Sequence, residues 1–457
     1  VREVDVAIDI KNLVETIVIV MLENRSFDHM LGYLSLKDET NRTDIDGIAD
    51  PTNPSYINDS AGETYSLFPT KDSALPGDLP HGRDLVDIQL AKSATSGKYA
   101  MTGFVESYRQ FMNVPRVKTK APPIGFMRGA NQVPTLDFFA ENFTVCDHWF
   151  APLPADTQPN RLMALSGFTT VDVTVAQTLD QELVYEWLTE MRIRWRVYRS
   201  GLPFCTLLPR MWDEILDNTL FRSIRQLAKD VKTESNHTYP EVIFCEPAYF
   251  DSPISSGFER NDDHPPLPVG PGQRFLREIY EALTGNPARW AKTVMIVTYD
   301  EHGGFFDHVP PLPIPTDPPP GVNYRRFATT GVRVPGLIVS PLVAPASAYN
   351  DKLDHTSILQ FLGEMFGDGD YSPDVKRRKD AGIKSVSDVL TLPQPRAAVA
   401  MPPLEALTVA ALVPVPKPEN KTPDQIALEK AAQELLADKK AKALDSYPEL
   451  ATLKPVP

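Results

Sequence analysis

Cysteine is scarce in this chain, with only Cys146, Cys205 and Cys245 among 457 residues. Three cysteines close at most one disulfide, which excludes a densely stapled scaffold and leaves the redox compartment open. No apolar run reaches the roughly 18 residues of a membrane-spanning helix. Positive charge is outweighed, 46 Lys and Arg against 60 Asp and Glu, giving a formal charge of −14. That balance argues against a nucleic-acid surface and against broad adhesion to anionic membranes, though it leaves room for a local basic pocket and for transient contact with a membrane surface. The first residue is Val1 rather than Met. The expected location is therefore secreted or periplasmic if a leader has been removed, and cytoplasmic otherwise. Proline, by contrast, is plentiful at 44 residues, which predicts long ordered loops over a regular scaffold.

Two stretches carry the same design. The run from Thr293 to Tyr299 is β-branched and apolar, the pattern of a strand buried on both faces, and it ends abruptly in Asp300, Glu301 and His302 followed by Gly303 and Gly304. Residues 14–22 repeat the apolar run and lead straight into Glu23, Asn24, Arg25, Ser26, Phe27, Asp28 and His29. Ligands of parallel α/β sheets bind beyond the carboxyl ends of the strands. If these two strands are neighbours, Glu23, Asn24, Asp300 and Glu301 converge on one crevice.

Other candidates are spread along the chain. Residues 35–80 read as a polar surface excursion closing on His81, which precedes a helical stretch from Asp84 to Leu90. Leu136, Phe138 and Phe139 mark the buried side of a helix, followed by a strand at 143–146 in which Cys146 is a small core residue. Asp156-Thr157-Gln158-Pro159-Asn160-Arg161 opens a further helix. Thr157 or Asp156 is there a plain N-cap, or Thr157 is a hydroxyl placed where helix N–H groups favour an anion, with Arg161 as a fork for phosphate oxygens. Asp263 and His264 are a site pair or an Asx turn. His355 precedes a helix whose apolar side includes Ile358, Leu359 and Leu362. The catalytic domain is expected over 1–392. Beyond it, 393–457 is expected to form a Pro/Ala-rich arm and a C-terminal helix, opened by a capping box at Thr422 and carrying no chemistry.

The chemistry follows from oxygen donors. Glu23, Asn24, Thr157, Asp300 and Glu301 suit a hard divalent ion, Ca²⁺, Mg²⁺ or Mn²⁺. Such an ion lowers the pKa of the Thr157 hydroxyl and polarises a phosphoryl oxygen. Asn160 and Arg161 are placed to offset charge on the equatorial oxygens, and one of His81, His264, His302 or His355 to protonate the leaving oxygen.

Five blocks, residues 23–29, 157–161, 261–265, 300–309 and 331–335, resemble in order and content the signature blocks of the phosphoesterase family, which includes plant non-specific phospholipases C, bacterial phosphatidylcholine-type phospholipases C and bacterial acid phosphatases. The resemblance implies an alkaline-phosphatase-like three-layer α/β fold, with a central, mostly parallel sheet between helices. It also implies a metal held by Glu23, Asn24, Asp300 and Glu301, a Thr157 nucleophile forming a phospho-enzyme, and His81 and His264 supporting the phosphoryl group. The expected activity is metal-dependent hydrolysis of phospholipid phosphoesters. The alternatives are an acid phosphatase using the same centre and, more remotely, a non-catalytic phospholipid- or metal-binding relative.

Overall fold

The apolar runs become the strands of a single eight-stranded sheet: β1 (Thr16–Leu22), β2 (Thr144–Cys146), β3 (Trp195–Arg199), β4 (Phe221–Ser223), β5 (Val242–Glu246), β6 (Thr293–Tyr299), β7 (Gly336–Val339) and β8 (Ser347–Tyr349). The computed structural model describes residues 9–71, 74–118, 120–254, 257–403 and 421–453. The order is β8-β2-β7-β6-β1-β5-β3-β4. Only β7 runs antiparallel to its neighbours. It follows the long loop over 302–335, which stays at the carboxyl end of β6, so that Gly336 re-enters the sheet beside Thr298 and β7 runs back the other way.

β1 and β6 lie at the centre, and every residue of both is buried. Full burial on two faces is why their sequences are continuous rather than alternating, and each Val, Ile or Leu so placed contributes about 1.5–3 kcal/mol. They pair in parallel from Thr16 with Thr293 to Leu22 with Tyr299. Glu23 and Asp300 are thus the next residues on adjacent strands, about 4.8 Å apart in the pairing direction.

Helices flank the sheet: α1 (Phe27–Met30), α2 (Arg83–Leu90), α3 (Pro134–Asn142), α4 (Thr157–Ser166), α5 (Gly270–Thr284), α6 (Thr356–Phe366) and α7 (Pro423–Ser446). α3 packs on α5 and α4 on α6. Leu136, Phe138 and Phe139 of α3 are buried, as are Phe275, Ile279 and Leu283 of α5. The three cysteines are free and buried. Residues 35–80 hold more structure than expected, including a hairpin of Asn58–Ser60 and Glu63–Tyr65; three-residue strands are too short to show a period. Most of the proline-rich arm expected after 392 falls at 404–420, outside the described residues. α7 has its expected capping box between Thr422 and Gln425. Its Ala427, Leu428, Ala431, Ala432 and Leu435 join the same continuous core as the sheet.

A second constraint lies beneath the long loop. Arg333 is fully buried, its Nε donating to Asp307 at 2.8 Å and its Nη2 to Asp28 at 3.2 Å. Its Nη1 donates to the carbonyls of Asp46 and Asp147, both at 2.7 Å. His308 bridges Asp28 at 2.7 Å and Asp46 at 3.0 Å. Removing the guanidinium leaves the buried Asp307 uncompensated and Asp28 with His308 alone. Arg333→Met is accordingly expected to cost about 3–5 kcal/mol of stability, measured as a shift of the denaturant midpoint.

Candidate active site

The two motif blocks are stitched together through the backbone. Asp300 N donates to Leu22 O at 3.1 Å, extending the ladder by one residue. Asn24 N donates to Asp300 Oδ1 at 3.0 Å, Arg25 N to Glu301 O at 3.1 Å, and Ser26 Oγ to Phe306 O at 2.6 Å. Asp28 N then donates to Asp307, and His308 N to Asp28. Two local conformations make this possible. Asn24 adopts φ +60°, a left-handed state that Asn tolerates better than most residues. Gly303 has φ +61°, and a Cβ there would lie 1.9 Å from the Asn24 carbonyl oxygen.

Glu23, Asn24, Asp300 and Glu301 are therefore brought to one place, all buried. Arg161, one turn into α4, reaches the same place: its Nη2 is 3.1 Å from Glu23 Oε1 and its Nε 3.3 Å from Asp300 Oδ2. Its Nη1 donates to the Tyr249 hydroxyl at 2.9 Å, and that hydroxyl donates to Glu246 at the end of β5. The guanidinium is thus spent on the protein's own carboxylates, Glu23 and Asp300, where a phosphate-facing fork was expected.

Burial pushes the Glu23 carboxyl well above its ordinary range; Arg161 opposes this while Asp300 adds to it. Burial raises Glu301 to about 8 against the pull of His81, with Asp300 raising it further. Glu301 Oε1 and both polar side-chain atoms of Asn24 are buried without a hydrogen-bond partner among the described residues. Orphaned buried oxygens call for a partner such as an ion, and this carboxylate-and-amide donor set fits a hard divalent cation. Among the described residues, Glu23, Asp300 and Glu301 are not one of the groups whose donor atoms all lie within 4.8 Å of one another. Arg161 draws the first two, while Glu301 accepts from Gly303 N at 2.8 Å and lies 3.1 Å from His302 Nδ1.

The four histidines separate by their hydrogen bonds. His355 Nδ1 accepts from Trp149 Nε1 at 3.1 Å and its Nε2 donates to Asp300 O at 2.7 Å; burial lowers its pKa to about 4. His302 Nε2 donates to Gln89 Oε1 at 2.6 Å, and burial, reinforced by His81, lowers its pKa to about 3. Both rings brace the strand end, and neither can serve as the proton donor expected of it. His81 and His264 differ. Each donates Nδ1–H to a backbone carbonyl, of Leu79 and Pro265 respectively, so each turns Nε2 outward. Burial works against their charge, yet Asp78, Glu301 and Asp156 outweigh it and raise His81 to about 10. His264 is raised by Asp78, Asp251 and Asp262. The donor atoms of Asp78, His81 and His264 all lie within 4.8 Å of one another.

Two further expectations are corrected. Asn160 accepts from Leu153 N at 2.9 Å and donates to the carbonyls of Leu153, Ala155 and Asp156. Its amide shapes the loop before α4 and has nothing left for a phosphoryl oxygen. Asp263 faces away from the crevice, accepting from the Tyr299 hydroxyl at 2.7 Å. Its Oδ1 would lie 2.0 Å from a Cβ at residue 272, which explains Gly272 in the first turn of α5.

Thr157 is the first residue of α4 and is buried. Asp156 takes the N-cap position, but its carboxylate turns to accept from Thr174 N at 2.8 Å and caps nothing in the helix. The cap reading thereby fails for both residues. Burial lifts Asp156 to about 6, with His81 lowering and Glu301 raising it, so the start of α4 shares the field of the crevice.

Several site residues escaped sequence reasoning. Asp78, Glu246, Tyr249 and Asp251 sit in loops or strand ends with no motif signal. The C-terminal helix packs closer to the crevice than a separate appendage would. Gln158, next to Thr157, donates to Asp424 of α7 at 3.0 Å. Thr422 donates to Asp251 at 3.1 Å, and Asp251 lies 4.0 Å from His264 Nε2. The first turn of α7 forms part of the wall.

A family model described as the phosphoesterase family matches residues 14–367. Non-specific phospholipase C6 of Arabidopsis thaliana is 32% identical over 399 residues, covering 83% of this chain and 72% of its own length. Phospholipase C B of Mycobacterium tuberculosis is 28% identical over 417 residues, covering 78% of this chain and 73% of its own. A solved protein of the alkaline phosphatase superfamily from Vibrio parahaemolyticus overlaps at a TM-score of 0.30 and 13% identity, covering 70% of this chain and 85% of that one.

If α7 steadies the start of α4 through Gln158, Asp424→Ala should lower turnover several-fold without abolishing folding. Asp424→Asn keeps an oxygen acceptor for Gln158 and should restore most of the rate. Parallel kcat and thermal-melting measurements on the two variants check this.

Proposed function

This chain belongs to the phosphoesterase family, and from that premise we propose that it hydrolyses the phosphodiester of phospholipids, in the manner of a phospholipase C, through a phosphorylated Thr157. The reading is carried by one observation: Arg161, on the same short helix as Thr157, is paired with both Glu23 and Asp300. That pairing draws the first turn of α4 towards the ends of β1 and β6.

Glu23, Asn24, Asp300 and Glu301 would hold the metal, with Ca²⁺, Mg²⁺ or Mn²⁺ suited to their oxygens. When bound, it supplies positive charge that lowers the pKa of the Thr157 hydroxyl and polarises a phosphoryl oxygen. The chain's own residues do the rest. Thr157 Oγ1, its proton released to solvent beforehand, attacks phosphorus, and the P–O bond to the glycerol oxygen breaks. His81, raised to about 10 by surrounding carboxylates, or His264, raised by its own carboxylate neighbours, gives a proton to that leaving oxygen. The same ring, now neutral, takes a proton from the water that releases phosphate ester from Thr157. Arg161 keeps Glu23 and Asp300 in position throughout and stays clear of the substrate.

The rim favours a diester over a monoester. Asp78, Asp156, Asp251, Asp262 and Asp424 act on one another or on the same two histidines. A phosphomonoester brings an additional negative charge into that field, whereas a diester brings one only. A purified protein offered phosphatidylcholine, nitrophenyl phosphate and a nitrophenyl phosphodiester should turn over the first and third faster than the second. The opposite ranking overturns the reading in favour of an acid phosphatase.

Thr157→Ala should lower turnover about 10³-fold or more, with an unchanged melting temperature, because one hydroxyl contributes little to the fold. Asp300→Ala should lose bound metal and activity together, read by elemental analysis beside the assay.

A further inference from the structure

The negative charge of this chain is unevenly spread. From Lys92 to Lys120 there are six basic residues, Lys92, Lys98, Arg109, Arg116, Lys118 and Lys120, and one acidic residue, Glu106. Glu106 is already tied to Arg109 at 2.6 Å. This is a strongly basic stretch in a protein of formal charge −14.

The helix Phe104–Phe111 runs through the stretch. At its start Phe104 is buried, its ring 6.3 Å from His302 and 5.4 Å from Phe306. Its far end carries Phe111 and Met112, each 46% exposed. Among the described residues these are the only two large exposed hydrophobics adjacent in the chain. Eight helical residues span about 12 Å, so the apolar tip stands roughly that far out from the layer that braces Glu301. Between the basic stretch and the catalytic loop lies an open cleft of about 250 Å³, bordered by Arg83, Lys92, Tyr99, Arg325 and Pro154. Pro154 is three residues before Thr157.

We propose that Phe111 and Met112, in the basic stretch that also carries the exposed Lys118 and Lys120, are the surface by which this enzyme seats itself on an anionic phospholipid bilayer; Arg116 is paired with Glu63 and takes no part. Single exposed hydrophobics need no explanation, but an adjacent aromatic and thioether at a helix end, inside the basic part of an acidic chain, match the chemistry of a lipid interface. The apolar pair enters the acyl boundary while the cations meet lipid phosphates. Charge complementarity selects the anionic surface. Size argues against a protein partner: a specific interface takes about 800 Å² from each side, far more than two side chains present. The docking surface rests on the phospholipid reading above and adds to it the physical state of the substrate.

The test is co-sedimentation with phosphatidylcholine vesicles, with and without phosphatidylglycerol, for the wild type, F111S/M112S and K118Q/K120Q. All are full-length, and each is also assayed on the soluble nitrophenyl phosphodiester. The wild type is expected to prefer the anionic vesicles and to release them as salt rises. K118Q/K120Q should bind them about 25-fold more weakly, about fivefold for each charge removed. F111S/M112S should bind at least tenfold more weakly, and both variants should cleave the soluble diester at the wild-type rate. Equal binding to both vesicle types, or binding by F111S/M112S equal to wild type, overturns the proposal. Wild type that binds anionic vesicles yet cleaves no phospholipid counts against the substrate reading alone. Wild type that cleaves phospholipid in detergent micelles yet ignores vesicles counts against the docking surface alone.

Discussion

Asp300 is held from every side available to a residue at a strand end. Its carboxylate accepts from the amides of Asn24 and Glu301 and from Arg161, its own amide completes the pairing with Leu22, and its carbonyl accepts from His355. Everything else in the crevice is positioned relative to this one residue. The pairing of β1 with β6 sets which residue of the first block meets which residue of the second, and a slip of one position would turn every side chain to the opposite face. The long buried pairing, seven residues on each strand, makes such a slip prohibitively costly. A stable core therefore fixes catalytic geometry directly, with no adjustable loop between them.

The cost of this arrangement is concentrated in the same few residues. Buried carboxylates repel one another and lose hydration, and the upward shifts of Glu23, Glu301 and Asp156 express both effects. Asn24 adds a left-handed backbone. A left-handed backbone and unpaired polar atoms on adjacent motif residues are the pattern of a site kept for function. The contrast with Arg333 is instructive. There, Asp28, Asp307 and His308 form a tighter group, with donor atoms all within 4.8 Å of one another, but the guanidinium ties both carboxylates, leaving a structural link. At the crevice Arg161 satisfies one oxygen each of Glu23 and Asp300, and Glu301 Oε1 and the Asn24 amide stay unpaired.

Much of this was legible in the sequence because burial writes itself into composition. β1, β5 and β6 are fully enclosed, so their apolar runs are unbroken, and polar residues at their ends stand out. The convergence of Glu23 with Asp300 followed from that pattern plus the rule that parallel strands share an active end. What failed was side-chain direction. Arg161, Asn160, Asp263 and His302 lie in motif blocks and His355 at a helix start, yet their hydrogen bonds spend them on the protein itself. A one-dimensional pattern places a residue near a site without saying which way it faces. Tertiary additions were equally silent: Asp78 and Asp251 come from irregular loops, and nothing in the capping box at Thr422 tells that it opens onto the active crevice.

That capping box changes the electrostatic account of the site. Each helix start concentrates unpaired N–H groups, equivalent to about half a positive charge. Here two starts meet, α4 at Thr157 and α7 at Thr422, joined by the hydrogen bond from Gln158 to Asp424 and steadied by that from Thr422 to Asp251. Their dipoles face a rim made of Asp156, Asp251 and Asp424, and so offset part of the repulsion among these carboxylates. An acidic rim can then persist beside the start of α4. The groups that oppose the acidic rim near Thr157 are two backbone ends and the rings of His81 and His264, whose pKa values the carboxylates raise. Of these, the backbone ends leave no trace in a count of Lys and Arg. A net charge of −14 is thus compatible with chemistry on an anion, because the field that matters is set within a few ångströms by how the chain is folded.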